Sequence, residues 1–178
     1  MSALLLIVLA CSAWAGESVK VHDPRLKLDE FAANPDIVTP IGMTFDHKNR
    51  LLVIESHTHF PPKNYKGPAA DRIQIVEDTN GDGKADRFRT FYEGTSATMS
   101  LARGPENWIY AATRMKVFRI RDGNGDDVAE EAMDLVKMET KGTYPHNGLV
   151  GLTFDNQGKV LFGLGENLGE AYTLTGSD

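Results

Sequence analysis

The stretch Asp78-Thr79-Asn80-Gly81-Asp82-Gly83-Lys84-Ala85-Asp86 places oxygen-bearing side chains at alternate positions. Calcium takes about six to eight hard oxygen ligands, and a tight acidic loop supplies them from one side. Asp78, Asn80, Asp82 and Asp86 fit the first, third, fifth and ninth places of an EF-hand-like loop. Lys84 would give its backbone carbonyl at the seventh, and Gly83 takes the sharp-turn place. Arg89 stands where an EF-hand carries its bidentate Glu, so one or two ligands must come from elsewhere. A second loop offers Asp122, Asn124, Asp126 and Glu130, with Asp127 where the turn glycine would be. A non-glycine there is costly if φ is positive. Both loops also read as plain turns, since Asn80-Gly81 and Asp82-Gly83 are favoured hairpin corners. If they bind calcium, the expected role is stapling rather than catalysis.

Five histidines are the other chemical candidates. His146 follows Tyr144-Pro145 and precedes Asn147-Gly148. Pro145 keeps Tyr144 out of helical φ/ψ, so His146 sits where extended chain enters a hairpin. An imidazole there can act as general base at neutral pH, or simply be hydrogen-bonded in a turn. His57 and His59 flank Thr58, a spacing that puts both imidazoles on one face of extended chain. That suits a transition metal, but no third ligand is evident, and Phe60-Pro61-Pro62 reads as a loop, solvated or lining a pocket. His22 and His47 read as surface residues.

These groups must be positioned by strands. Three pairs of short apolar runs flank compact turns: Ile41 to Asp46 with Leu51 to Glu55, Met99 to Arg103 with Trp108 to Thr113, and Leu149 to Phe154 with Lys159 to Phe162. Each reads as a hairpin. Aligned on the turns, Phe45, Ala102 and Phe154 correspond, at spacings of 57 and 52 residues. A second element repeats between them: Arg72 to Glu77 leads into the first acidic loop, and Lys116 to Arg121 into the second. Four short strands per unit, recurring every ~40–50 residues, predict a β-propeller. The expected fold is all-β, with about two and a half four-stranded blades over residues 41–178. A β-sandwich with similar hairpins is the plainer alternative. Closed propellers need roughly four to eight blades, so the sequence is expected to be the N-terminal part of a longer protein.

The chain has 178 residues, 41% hydrophobic and 25% charged, as ordinary globular domains have. Its net charge of −6 argues against nucleic acid as partner. Residues 1–15 read as a secretory signal: an apolar core over residues 3–10, then Ala13-Trp14-Ala15 before Gly16. Cleavage before Cys11, the one cysteine, with lipidation is the alternative. Either route gives an exported, periplasmic or outer-surface protein, anchored to the membrane if Cys11 is lipidated or a C-terminal region supplies an anchor. Residues 16–40 form a polar lead-in, with Leu26-Lys27-Leu28 as a candidate edge strand.

The hairpin His146-Asn147-Gly148 followed by LTFDNQGKVLFGLGEN resembles the catalytic-histidine hairpin of soluble pyrroloquinoline-quinone (PQQ) dehydrogenases of glucose and sorbosone. With IVTPIGMTFD, LLVIESHTHFPP, EDTNGDGKADRF and TKGTYPHNGL, the mature chain more closely resembles the N-terminal domain of the membrane-bound dehydrogenases of planctomycetes and verrucomicrobia. The resemblance covers about residues 19–178 and implies a six-bladed propeller oxidising a sugar or alcohol with PQQ. It implies His146 as the base that takes the hydroxyl proton, and a c-type cytochrome as electron acceptor. Longer members of that group often add helical repeats and a c-type haem domain; this chain has no Cys-x-x-Cys-His. The quinone-holding cations of the sugar enzymes lie in later blades, as does their cofactor-side calcium site, which the Asp78 loop does not match. Pro145 replaces an acid before the histidine, leaving the substrate class open. Two alternatives stand: a non-catalytic, calcium-stapled propeller that binds glycans or proteins, and a calcium-dependent lactonase-type hydrolase. The latter needs carboxylates converging on one metal, for which Glu55 and Glu166 are the candidates.

Overall fold

The computed structural model describes residues 20–142, 148–165 and 169–177, and the backbone of 4–9. Every regular element among them is a strand, and apart from one parallel pair the sheets are antiparallel. Strand β1 (Leu4–Leu9) pairs parallel with β2 (Lys27–Ala33), which extends well past the short edge strand expected at Leu26-Lys27-Leu28. The first sheet is a four-stranded meander of β3 (Pro40–Phe45), β4 (Leu51–Glu55), β5 (Asp71–Glu77) and β6 (Arg87–Thr95). In the second, β7 (Thr98–Arg103), β8 (Ile109–Thr113), β9 (Lys116–Arg121) and β10 (Glu131–Thr140) repeat that order. A fifth strand, β13 (Tyr172–Gly176), adds to the β10 edge. The third sheet is the hairpin of β11 (Leu149–Phe154) and β12 (Val160–Leu164).

Period-two alternation decides how the sheets stack. Every residue of β4 and of β8 is buried, so each of these strands has an apolar partner on both faces. Leu52 and Ile54 of β4, with Ile73, Ile75 and Phe91, meet Leu101, Ile109, Ala111, Phe118 and Ile120 of the second sheet. Tyr110, Ala112 and Val117, on the second sheet's other face, meet Leu149 and Leu152 of the third. Leu51, Val53 and Val76 turn the opposite way, onto Ala32 and Ile37. The leading strands β3, β7 and β11 therefore lie next to one another in order.

The three units repeat in their hydrogen bonds as well as in their sequence. The N–H groups of Ser56, Arg114 and Gly165 donate to the carbonyls of Thr39, Ala97 and Gly148, at 3.1, 2.9 and 3.0 Å. Those acceptors precede β3, β7 and β11, and each has positive φ (45°, 50° and 150°). At the opposite end, the turns close by Asp46 N–H to Arg50, Gly104 N–H to Trp108 and Asp155 N–H to Lys159, at 2.9, 2.9 and 3.0 Å. Strand β2 also has a counterpart. Ala85 N–H donates to Phe31 of β2 at 2.8 Å, and Ala129 N–H donates to Phe91 of β6 at 2.7 Å. Relative to the first sheet, β2 thus holds the place that β6 holds relative to the second.

Asp127 ties the first two sheets together. It takes the left-handed conformation at φ 72°, as its replacement of a turn glycine led one to expect. Its carboxylate accepts from Lys48 Nζ at 2.9 Å, Arg50 Nη1 at 2.7 Å and Arg89 Nη1 at 2.5 Å, all on the first sheet. The Lys48 ammonium first, then the Arg50 and Arg89 guanidiniums, hold this carboxyl well below its usual range, against the opposing effect of burial. A depressed folded-state value gives stability that is present above about pH 4, the ordinary Asp value, and is lost on acidification below it. Asp127→Asn should therefore lower unfolding free energy at neutral pH by about 1–3 kcal/mol and flatten its decline between pH 5 and pH 2. Urea titrations of both proteins across that range test this; parallel curves would remove Asp127 from the acid response.

Candidate functional site

In a meander, alternate connections fall at opposite ends. The β3–β4 turn, the β7–β8 turn and both acidic loops share one end. The β4–β5, β6–β7 and β8–β9 connections share the other, as do the segments leading into β7 and β11. The chain thus separates its acidic loops from the end where His57, His59 and Arg114 lie.

The two acidic loops have the same internal wiring. Asp78 accepts from Gly81 N–H at 2.6 Å and Gly83 N–H at 2.8 Å; Asp122 accepts from Gly125 at 2.6 Å and Asp127 at 3.0 Å. Asn80 and Asn124 each cap the residue two further on, as do Asp82 and Asp126, which accept from Lys84 and Val128, both at 2.9 Å. Thr79 N–H donates to Asp86 and Gly123 N–H to Glu130. The Gly83 and Gly81 amides hold the exposed Asp78 carboxyl below its usual range. All donors in these loops are hard oxygens, which fits calcium by ligand type. Among the described residues, no group of three or more His, Cys, Asp or Glu side chains is gathered closely enough to hold a metal ion.

At the other end stands a fully buried carboxylate that carried no signal in the sequence. Asp71, the first residue of β5, accepts from His57 N–H at 2.7 Å, Thr58 N–H at 2.9 Å, Thr58 Oγ1 at 2.9 Å and Thr98 N–H at 2.9 Å. Thr58 Oγ1 in turn accepts from Ala97 N–H at 2.7 Å. One side chain thereby fixes the β4–β5 loop, the start of β5 and the start of β7. Glu55 is buried beside it, accepting from Val38 N–H at 2.9 Å, Gln74 Nε2 at 2.9 Å and Arg72 Nη2 at 2.7 Å. Its oxygens are committed to holding strands together, which leaves it badly placed for a lactonase metal.

The two neighbouring histidines part company. His57 is buried, with Nδ1 against the Tyr65 hydroxyl and Nε2 3.7 Å from Glu55 Oε2. His59 lies at a cavity and packs edge-on against Phe60, ring centres 4.9 Å apart. They form no metal site with a third His, Cys, Asp or Glu among the described residues. His146, with Pro145 and Asn147, lies outside the described residues, as does Glu166. The chain on each side of His146 meets one residue: Arg114 Nη2 donates to Gly142 O at 3.3 Å, and Leu149 N–H donates to Arg114 O at 3.2 Å. A Cβ on Gly148 would come within 2.6 Å of the Arg114 Cα, so glycine is required there.

Asp71→Asn presents an amide NH2 to backbone donors. At least one buried N–H then loses its acceptor, at about 1–3 kcal/mol. The expected result is a lower urea midpoint with unchanged slope and faster amide hydrogen exchange at Thr58 and Thr98; unchanged exchange at both would show that Asp71 is not the hub.

No curated protein matches the chain. Two solved structures of Trichoderma reesei Carbohydrate-Active Enzymes Family AA12, an iodide and a calcium structure, align at 18% identity with TM-scores of 0.45 and 0.43. Each alignment covers 66% of this chain and 27% of the other, so the chain spans about a quarter of the length of the structures it matches. A family model described as a domain of unknown function, DUF7133, matches residues 14–177. That match takes in the first two sheets and the third hairpin, and the chain belongs to the DUF7133 family.

Proposed function

We propose that the three sheets are successive blades of a six-bladed β-propeller, and that the protein is an exported, quinoprotein-like dehydrogenase oxidising a sugar or alcohol with PQQ. The observation that supports this best is the threefold repeat of the hydrogen bond ahead of β3, β7 and β11, with those strands side by side. Inner strands arranged this way direct the segments preceding them toward a common hub. The likeness of β2 to β6 fits a ring in which β2 is the outer strand of the last blade.

His146 is the general base in this reading. Gly148, two residues further on in the sequence, is held against Arg114 at the proposed hub end. A neutral imidazole there accepts the hydroxyl proton as the C–H bond loses hydride. PQQ supplies the hydride acceptor when bound. It is anionic, and the Arg114 guanidinium, which donates to Gly142 O, is a described cation of complementary charge; the other quinone-holding cations are expected from later blades. The acidic loops lie at the far end, where bound calcium would stiffen the outer turns without touching substrate. Residues 1–15 direct export, and a c-type cytochrome takes the electrons.

Two experiments test this. The full-length protein with PQQ and an aldose or alcohol should reduce an artificial dye, and His146→Gln should slow it by about 10²–10⁴-fold with an unchanged circular-dichroism spectrum. A variant as fast as wild type would show that His146 is not the base; no turnover in either, with PQQ present, would favour the non-catalytic, glycan- or protein-binding alternative. Calcium at about a hundred times its dissociation constant should stabilise the fold by about 2.7 kcal/mol. Asp82→Asn keeps the oxygen that caps Lys84 but removes the charge, and should abolish much of that gain; identical calcium responses would make the loops plain turns.

A further inference from the structure

A cavity of about 770 Å³ opens between the first and second sheets at the end where Asp71 is buried. Tyr92 and Thr95 of β6, Lys137 to Glu139 of β10, the Thr58 to Phe60 segment, and Ser96 with Ala97 form its walls. None of its lining comes from β3, β7 or β11, but Ala97, Arg114 and Met115 also line it, so it reaches from the outer strands to the segments beside the proposed hub. Its size falls within the range of about 300–1,000 Å³ typical of small-molecule sites.

We propose that this groove binds a neutral carbohydrate, independently of the PQQ reading. The first support is its rigid construction. Phe60 and Ala97 both hold the left-handed conformation at φ 50°, which is unfavourable for residues with a Cβ. Such strain persists only where surrounding bonds enforce it, and it gathers at ligand clamps. At Ala97 the enforcing bonds are visible: Asp71 binds the N–H and hydroxyl of Thr58, two residues before Phe60, and that hydroxyl accepts the N–H of Ala97. The groove is thereby set before any ligand arrives, which lowers the entropy cost of binding.

The second support is the chemistry of the lining. Phe60 is 67% exposed at the rim, and Tyr92 offers a second aromatic ring. Hydroxyl and charged groups share the lining, among them Ser96, Thr113 and Glu139. Lys116 and Lys137 also line the groove, but both direct Nζ to Asp134, at 2.8 and 3.1 Å. A purely apolar ligand would strip water from these polar groups without replacing its hydrogen bonds. An anionic ligand would compete with Asp134 and face Glu139; Arg114 also lines the groove, with Nη2 on Gly142 O at 3.3 Å, and an acidic sugar in the test below measures the pull of its charge. A pyranose suits both features, because its C–H face stacks on an aromatic ring while its hydroxyls pair with polar side chains.

Isothermal titration of the full-length protein with cellohexaose, xylohexaose, mannohexaose and maltohexaose tests the proposal, with oligogalacturonate as the anionic comparison. At least one neutral oligosaccharide should bind with a dissociation constant near or below about 1 mM. Phe60→Ala should weaken it about tenfold or more. Ser96→Trp, which fills the groove from an exposed position, should abolish it while leaving the urea midpoint in place. His146→Gln should bind as wild type does, which distinguishes sugar binding in the groove from the proposed proton transfer. Binding of none of the four neutral sugars, tighter binding of oligogalacturonate, or affinity untouched by both groove variants would each overturn the assignment.

Discussion

Strands β4 and β8 are buried on both faces, so neither of the first two sheets can stand alone in water. Fully burying one Leu or Ile side chain is worth about 1.5–3 kcal/mol; β4 turns Leu52 and Ile54 one way and Leu51 and Val53 the other, and β8 turns Ile109 and Ala111 against Tyr110 and Ala112. The first sheet must have β2 on one side and the second sheet on the other; the second must have the third hairpin. Once the sheets stack this way, the leading strands lie side by side and the connections divide between two ends. Everything chemical about the molecule follows from that division.

The two ends solve different electrostatic problems. At the acidic-loop end, carboxylates are exposed and curl onto their own backbone amides, while Asp127 reaches across to Lys48, Arg50 and Arg89. The part of that tie made by Lys48, which is 58% exposed, is open to screening by salt; Arg50, at 13%, is much less so. At the opposite end, Asp71 and Glu55 are withdrawn from water altogether. Burying them carries a desolvation cost that only a full set of donors offsets. What they contribute is position: the β4–β5 loop and the start of β7 have one arrangement in which every donor is met.

Much of the strand order was legible because strands and turns are written locally. The run Ile41 to Asp46 was expected as a strand and spans Pro40–Phe45; the hairpins at Met99 and Leu149 fall within a residue or two of their expected limits. The acidic loops were legible for the same reason, since alternate Asp and Asn side chains cap amides two or three residues away. Less of the candidate site could be read. Asp71 looks like any polar residue at a strand start, and its partner Thr98 is distant in sequence. His57 and His59 looked equivalent, yet one is packed against Glu55 and Tyr65 while the other lines a groove.

Composition and spacing by themselves determined an all-β chain with three hairpin units, two repeated acidic loops and a histidine ahead of the third hairpin. Those features depend on interactions between residues a few positions apart. Tertiary structure alone decided that β2 packs against the first sheet, that β13 joins the β10 edge, that Asp127 bridges two sheets, and that a rigid groove opens between them. Each of those requires distant segments to meet, and which segments meet is set by the two-faced burial of the central strands, a property of the whole stack rather than of any one stretch.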